Sequence, residues 1–426
     1  MNASVNPSRR NFLKTVVAGS LVGLTKPAMG MVDLSTAGVA ESGDWVDAVR
    51  AQIPATKAAG YFQTGAFGPC TRQVIDRTNE LLMLQNQGPA NPRYLNVMKE
   101  AENSCRPLIA AAMGAHEDEV ALTQSTTAGL NTVIWSIDWQ EGDEIITSDQ
   151  EHPALLLPIY NLHQRYGVKY HKAPIGIHKN VVDEVMKRVT TRTRLVAMSH
   201  VSRQSGQVVP AQKLAAALRE RGISLMLDGA QGPGNVPVNF HELGCDYYSM
   251  CGHKWLLGPK GTGALLVRKD KLDSTSVSWT GAHAQAEMNA EGDFKWHPDA
   301  RRYEFATRNQ AGFGVWAESL RWLDSIGWEN IHARVSQLSA YASEAIQKSA
   351  KFSLVSPSES SRQNGIVVLR LPNGFKGIDL YHRLREKDDM LVSPVDHPRD
   401  LRVCLHFFNT ESEFDALLGR LEVYCA

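Results

Sequence analysis

Two residues that could do chemistry together, Asp228 and Lys254, each follow a short apolar run of the sequence. The runs Ile223–Leu227 and Tyr247–Met250 have the length and composition of buried strands. Ligands of open α/β sheets bind outside the carboxyl ends of the strands, so we expect the carboxylate and the amine to face one crevice. In a dry site, a lysine can lose its proton and act as a nucleophile or form a Schiff base.

Pyridoxal phosphate (PLP) would satisfy both side chains. Its aldehyde reacts with a lysine amine, and its protonated ring nitrogen pairs with a carboxylate, which keeps the ring an electron sink. A buried aspartate needs such a partner, because an unpaired buried carboxylate is costly. The alternative is an ordinary strand-end aspartate and a surface lysine beside a glycine-rich turn, and spacing alone does not separate the two interpretations.

The residues around this pair resemble the cofactor segment of a known family. They read D-G-A-Q from Asp228 and S-M-C-G-H-K-W-L-L-G-P-K-G-T-G from Ser249. Both strings are similar to those of the class V aminotransferases, fold type I PLP enzymes that include cysteine desulfurases and isopenicillin N epimerase-like proteins. The similarity runs from about Tyr61 to the C-terminus. It implies a PLP-dependent enzyme that works as a homodimer with composite active sites.

The resemblance implies a role for each residue around the cofactor ring. Lys254 would bind the cofactor and then move the proton of the substrate's reacting carbon. Asp228 would keep the ring nitrogen protonated, and His152 would stack on the ring. Gln231 would hydrogen-bond the phenolic oxygen of the ring. Arg402 would bind the substrate carboxylate, for which a planar bidentate donor is suited.

Two threonines, Thr126 and Thr127, follow an apolar run and begin a helical pattern. Hydroxyls and backbone N–H groups at a helix N-terminus can bind phosphate, although an ordinary Ser/Thr cap has the same pattern. The family resemblance favours phosphate and adds His253, with Thr307 supplied by the neighbouring subunit. Cys251 stands where many relatives have a phosphate-binding serine, and a thiol is a weaker donor.

A strand–helix alternation between residues 120 and 267 predicts a mainly parallel sheet covered on both faces. The resemblance implies the α/β fold of type I PLP-dependent transferases, with a seven-stranded sheet in a large domain, residues 61–310. Residues 311–426 are predicted to form linking helices and a smaller C-terminal α+β domain. The polar segment 270–300 is expected to be an irregular lid or dimer segment.

Composition and motifs exclude several other classes. Lys+Arg and Asp+Glu are equal at 45 each, so no basic excess points to nucleic acid. The chain has no G-x-G-x-x-G after a strand and no G-x-x-x-x-G-K-[ST]. It therefore lacks the phosphate-binding loops of nicotinamide-dependent and ATP-dependent enzymes. The six cysteines show no C-x-x-C and no metal-ligand spacing, so the sequence indicates no structural metal.

The N-terminus predicts export. Residues 8–14 read S-R-R-N-F-L-K, a twin-arginine motif, and the apolar run Thr15–Leu24 is too short to remain as a membrane anchor. Small residues allow cleavage after Gly30, which makes residues 1–30 a signal peptide and residues 31–60 a lead-in to the large domain. We expect a periplasmic protein that the twin-arginine translocase exports already folded.

The sequence specifies the cofactor but leaves several reactions open, because PLP supports several reactions on similar scaffolds. Relatives that handle persulfide carry a cysteine shortly before the carboxylate-binding arginine, and Leu391–Asp400 contains none. With export, the resemblance is to periplasmic enzymes that convert a peptide-linked glutamate of the siderophore pyoverdine to succinamide, with loss of its amino group and a carboxylate. A generic periplasmic aminotransferase or epimerase, and a non-catalytic binding protein, are the alternatives. The role of Arg203, where relatives often have asparagine, stays open.

Overall fold

The computed structural model describes residues 44–357 and 364–426, and fifteen strands lie within these ranges. In chain order they are β1 (Gly60–Tyr61), β2 (Val120–Thr123), β3 (Glu144–Ser148), β4 (Lys169–Ala173), β5 (Thr193–Ser199), β6 (Ser224–Asp228), β7 (Tyr247–Cys251), β8 (Gly263–Val267), β9 (Gln285–Met288), β10 (Phe294–Trp296), β11 (Ser353–Leu354), β12 (Ile366–Arg370), β13 (Met390–Leu391), β14 (Ser393–Pro394) and β15 (Asp400–Cys404).

The α-helices of the same residues surround and link these strands. They are Asp44–Gln52, Ala55–Ala58, Arg72–Asn86, Pro92–Asn103, Cys105–Met113, Thr126–Trp135, Pro153–Tyr166, Val181–Met186, Ala211–Arg219, Phe240–Leu243, Gln310–Ile326, Trp328–Lys348, Gly377–Lys387 and Glu411–Tyr424. None of the described helices is both long enough and apolar enough to span a bilayer. The predicted export motif and cleavage site lie outside the described residues.

The larger sheet has seven strands in the order β2-β8-β7-β6-β5-β3-β4. Every neighbouring pair is parallel except the two that β8 makes, with β2 and with β7. Every residue of β2, β3, β7 and β8 is buried, which explains why β2 and β8 are almost entirely apolar in sequence. The mainly parallel seven-stranded sheet predicted from the sequence is confirmed.

The register of the central strands positions the site. Ser199 at the end of β5 pairs with Asp228 at the end of β6, and Asp228 pairs in turn with Ser249 in β7. The three strands therefore end almost level, and the side chains that follow them meet at one edge of the sheet. Lys254 follows three residues after β7, as the sequence predicted.

A second, antiparallel sheet has the order β11-β12-β15-β14. It shares one apolar core with the last helices of the chain, and that core also contains Phe62, which follows β1. All described residues belong to one compact unit, Ser42–Ala426, so the boundaries at 61–310 and 311–426 stay a prediction. Helix Glu411–Tyr424 agrees with the sequence pattern.

One local prediction was wrong. Segment 270–300 is not wholly irregular, because β9 and β10 form an antiparallel hairpin. Its turn is closed by Asn289, whose Oδ1 accepts from the backbone N–H of Asp293 at 2.8 Å. Strand β15 ends at Cys404 and not further on, because the buried His406 ring nitrogen Nδ1 accepts from the backbone N–H of Phe407 at 2.9 Å and turns the chain.

Helix Gln310–Ile326 packs its buried Trp316 against two glycines of the lysine-bearing segment. A Cβ added at Gly258 would lie 2.6 Å from Cδ1 of Trp316 and 3.0 Å from the carbonyl oxygen of Gly252. The first contact is too short for a side-chain carbon, and the second is tighter than most such contacts. The helix therefore fixes the backbone beyond Lys254 by close packing.

Gly258→Ala should accordingly overpack this contact and lower the free energy of unfolding by about 1–3 kcal/mol. The matched control is Gly176→Ala, because an added Cβ there meets no atom within 4 Å. Urea unfolding of the two variants and the wild type measures the difference. Equal stability of the two alanine variants would contradict the packing argument.

Candidate active site

A cavity of about 330 Å³ lies at the carboxyl ends of β5, β6 and β7. Its walls bring together residues that the sequence analysis selected from five separate segments: Thr126, Thr127, His152, Asp228, Gln231, His253, Lys254 and Arg402. Thr307 is exposed and is not in the cavity wall of the single protomer. Its assignment to a partner subunit's site therefore stays a prediction.

Asp228 is the buried anion of the cavity, with only 4% of its surface exposed. Burial raises the pKa of its carboxyl group, while the hydrogen bond from the Ala230 N–H (2.9 Å to Oδ1) and the nearby charge of Lys254 lower it. A carboxylate that is short of positive partners would be stabilised by a protonated ring nitrogen.

The backbone around Lys254 is held by buried neighbours. Trp255, 1% exposed, donates from its indole Nε1 to Oε1 of Gln231 at 2.7 Å. The carbonyl oxygen of Trp255 lies 2.9 Å from Nε2 of His406. Gly68 passes so close that an added Cβ would stand 1.8 Å from the carbonyl oxygen of Lys254. The lysine thus extends from a rigid turn.

The contact with Trp255 also orients the amide of Gln231. Since an indole nitrogen can only donate, the Gln231 oxygen must face Trp255, and its nitrogen Nε2 donates to the carbonyl oxygen of Gly65 at 2.8 Å. One N–H of that nitrogen is left over. Gln231 lines the cavity, so this donor is available to the phenolic oxygen of a bound ring, which is the role predicted for it.

At the helix N-terminus, Ser125 supplies the cap, so the two threonines that follow are not needed for it. Ser125 is the N-cap, and its Oγ accepts from the Ala128 N–H at 3.1 Å. Thr126 and Thr127 are thereby left to line the cavity. Oγ1 of Thr126 lies near the buried thiol of Cys251 and makes no hydrogen bond of ordinary geometry to any described residue.

The two histidines of the cavity are neutral at pH 7. Burial and the charge of Lys254 lower the pKa of both His152 and His253 to about 4. Nδ1 of His152 accepts from the Ala154 N–H at 3.0 Å, so its proton is on Nε2. Nδ1 of His253 is buried and has no partner among the described residues. A neutral ring can stack on a cofactor, and an unpartnered ring nitrogen can bind a polar ligand.

Two arginines, Arg203 and Arg402, lie in the wall of the cavity. Arg402 is 5% exposed and donates to the carbonyl oxygen of Arg203 at 3.3 Å. The side chain of Arg203 is paired with the exposed Asp396, with 2.8 Å between Nη2 and Oδ1. Nε of each arginine is buried without a hydrogen-bond partner in the described part of the chain. The site therefore holds unsatisfied guanidinium donors that suit a carboxylate.

Comparison with known proteins decides the family. Residues 61–417 match the family model described as aminotransferase class-V. The chain belongs to the class V aminotransferase family. It is 29% identical over 397 residues to isopenicillin N epimerase of Amycolatopsis lactamdurans, a match that covers 89% of this chain and 98% of that protein. It is 28% identical over 404 residues to probable cysteine desulfurase 2 of Mycobacterium leprae (strain TN), covering 88% and 95%.

Solved structures share the fold of this class V chain. The complex of the cystine C-S lyase C-DES with cysteine persulfide has a TM-score of 0.82 and 24% identity, covering 87% of this chain and 99% of that one. The cysteine desulfurase from Thermococcus onnurineus NA1 has a TM-score of 0.81 and 23% identity, covering 89% and 98%.

The cavity fits the cofactor of the class V enzymes. A lysine, a buried carboxylate with a raised pKa, and the unpartnered His253 nitrogen and Thr126 hydroxyl match the aldehyde, ring nitrogen and phosphate of PLP. The protein is a PLP-dependent enzyme of this family. The alternative of a surface lysine beside an unrelated aspartate is thereby excluded, and so is a non-catalytic binding protein.

Glu151, which directly precedes the cavity residue His152, has no role that the sequence pattern predicted. Its carboxyl group is fully buried and accepts from the backbone N–H of Ser199 at 3.0 Å, from the hydroxyl of Ser199 and from that of Ser148. Burial raises its pKa to about 7. It ties the ends of β3 and β5 together directly before His152. In the sequence, this acid is marked only by its position directly before His152. Its role in joining the two strands follows from its burial, which the sequence pattern does not show.

Stability should fall as pH is lowered from 6.5 towards 4. Burial lowers the pKa of five histidines below the ordinary 6.5, to about 4 or about 3: His152, His200, His253, His332 and His406. In that range the unfolded chain binds more protons, so protonation favours unfolding. Glu151, whose pKa is raised to about 7, acts in the opposite sense between pH 4.5 and 7, and so does Asp228, whose pKa burial also raises, but these are two groups against five. Thermal unfolding at pH 5 and pH 7.5 measures the net effect, and His332→Gln should reduce the difference between the two melting temperatures. A higher melting temperature at pH 5 would contradict the assignment.

Asp396→Asn should strengthen carboxylate binding several-fold, because it releases the Arg203 guanidinium from an internal partner. Stability should change by less than about 1 kcal/mol, since Asp396 is exposed. Titration of the cofactor absorption with L-glutamate measures the affinity. Asp270→Asn, which removes an exposed pair with Arg268 outside the cavity wall, is the control. The bridge has no effect on binding if both variants titrate like the wild type.

Proposed function

We propose that this class V enzyme acts after export to the periplasm, on the peptide-linked glutamate of the siderophore pyoverdine, and converts its side chain to succinamide. The twin-arginine motif at residues 8–14 supports the compartment. The periplasm is poorly suited to routine amino-acid metabolism, which depends on cytosolic keto-acid pools. An enzyme that finishes a compound assembled inside the cell explains export better.

The observation that carries the proposal is that Lys254 shares its cavity with an arginine whose donors can bind a substrate carboxylate. Arg402 is buried, it lines the same cavity as Lys254, and its Nε has no hydrogen-bond partner among the described residues. A glutamyl group linked through its side-chain carboxyl keeps a free amine and a free carboxylate on one carbon. These are the two groups that such a site can bind together.

Each residue has a defined part in the proposed reaction. Arg402 binds the substrate carboxylate, and Lys254 moves the proton at the carbon that bears the amine. Asp228 would keep a proton on the ring nitrogen of the bound cofactor, and His152 would stack on the ring as a neutral imidazole. When bound, PLP supplies the electron sink for that carbon.

The proposed conversion requires an oxidant. In outline, R–CH(NH₂)–COOH + O₂ gives R–CO–NH₂ + CO₂ + H₂O, which balances with dioxygen as the electron acceptor. The amine and the carboxylate are both lost as such, and the carbon between them reaches the oxidation level of an amide. Persulfide chemistry is disfavoured, because the loop Leu391–Asp400 contains no cysteine.

Epimerisation is the second candidate, since isopenicillin N epimerase of Amycolatopsis lactamdurans is among the similar proteins. An epimerase would use the same lysine and aspartate to remove and return one proton. It would leave the mass of its substrate unchanged. A change of mass therefore separates the two candidates.

Purified enzyme incubated in air with glutamyl-pyoverdine should yield the succinamide form, which is lighter by one CH₂O unit, by mass spectrometry. Lys254→Ala should abolish this conversion and the visible absorption of the bound cofactor. Arg402→Lys should retain the absorption and lower kcat/KM by about tenfold or more, because a bidentate contact becomes a single one.

The matched genetic experiment uses a strain that lacks the gene. It should secrete pyoverdine with the glutamyl side chain only, and the wild-type gene but not the Lys254→Ala gene should restore the succinamide form. An unchanged set of side chains in the deletion strain would overturn the proposed substrate. A colourless wild-type protein without cofactor mass would contradict the cofactor assignment itself.

A further inference from the structure

Three metal-binding side chains converge on the surface at the start of β2. They are His116, Glu119 and His241, and one ligand atom from each lies within 4.8 Å of the others. His241 is 125 residues away in sequence from His116, so no local sequence motif indicates the cluster. The carboxylate of Glu119 is 2% exposed, whereas both imidazoles reach solvent.

Packing holds the segments of this cluster together. Gly114 has φ +57° and lies so close to Asn239 that an added Cβ would be 2.6 Å from its side-chain Cγ. Asn239 caps the helix that carries His241, with its Oδ1 accepting from the Glu242 N–H at 3.1 Å. The turn that carries His116 is therefore fixed against that helix before any ligand binds.

The carboxylate of Glu119 is also oriented in advance. Its Oε1 accepts from the Lys269 N–H at 3.3 Å, and its Oε2 accepts from the His116 N–H at 2.9 Å. Oε2 lies 2.7 Å from Nε2 of His241. The rings of His116 and His241 meet edge to face, with 5.0 Å between their centroids. Two exposed imidazoles can rotate onto a metal while the buried acid stays fixed.

The surroundings carry excess negative charge. Glu117, Asp118 and Glu242 adjoin the three ligands in sequence, and Lys269 pairs with Asp118 at 2.9 Å. Oδ1 of Asp118 is buried and has no hydrogen-bond partner among the described residues. Two imidazoles and one carboxylate are a donor set for zinc and neighbouring transition metals, and not for magnesium or calcium.

We propose that His116, Glu119 and His241 form a divalent transition-metal site of the zinc class, separate from the PLP site. Binding replaces the hydrogen bond between His241 and Glu119 by two metal–ligand bonds, with His116 as the third ligand and water in the open position. The cysteine spacing led the sequence analysis to expect no structural metal. This site uses no cysteine.

The site is structural and not part of the PLP chemistry. It lies at the first residue of β2, whereas the cavity lies beyond the last, so the four-residue strand of about 13 Å separates them. A bound metal joins the turn before β2 to the helix after Asn239. It should therefore stabilise the fold without changing the cofactor absorption.

The test uses zinc chloride with the PLP-loaded full enzyme. Equilibrium dialysis should give one zinc per chain, and thermal unfolding should show a zinc-dependent rise in melting temperature. His116→Ala and His241→Ala should each weaken binding by about tenfold or more and remove that rise. His178→Ala, at an exposed histidine outside the cluster, is the matched control.

Both alanine variants alter exposed side chains, and unchanged cofactor absorption verifies that they are folded. The absence of stoichiometric zinc on the wild type would overturn the proposal. Zinc that binds equally to both variants, as it would at the cysteines, would also overturn it.

Discussion

The burial of one carboxylate, that of Asp228, is the constraint on which the rest of the site depends. Its position follows from the parallel register of β5, β6 and β7, which ends the three strands at one level. Burial raises its pKa, and no described cation except Lys254 contributes to lowering it. A protonated ring nitrogen of a bound cofactor would stabilise this acid, and Lys254 lines the same cavity.

Buried neighbours hold the residues around Lys254 in a defined geometry. Trp255 connects three parts of the chain, because its indole orients Gln231 and its carbonyl oxygen meets His406 from the C-terminal region. Trp316 packs against Gly252 and Gly258, which lie on either side of Lys254 in the sequence. Side chains held in this way lose little freedom on binding, which favours a preorganised active site.

The arginine side of the cavity joins the two sheets of the protein. Arg402 comes from β15 of the antiparallel sheet and contacts the loop after β5 of the parallel sheet through the carbonyl oxygen of Arg203. Asp396 reaches the same loop twice, through the Arg203 side chain and through its own N–H to Gln204 at 3.0 Å. Substrate recognition therefore depends on how these two loops meet.

The sequence by itself determined the sheet, the cofactor and most of the cavity wall, since buried parallel strands leave continuous apolar runs and the lysine segment carries a specific motif. Tertiary structure decided what depends on contacts between distant residues. It assigned the cap to Ser125 and left the threonines to the ligand, it showed that Glu151 is buried, and it closed the hairpin of β9 and β10. It also brought His116 to His241. Local pattern encodes which face of an element is apolar, but only the packed chain fixes which polar groups have partners and which are left for a ligand.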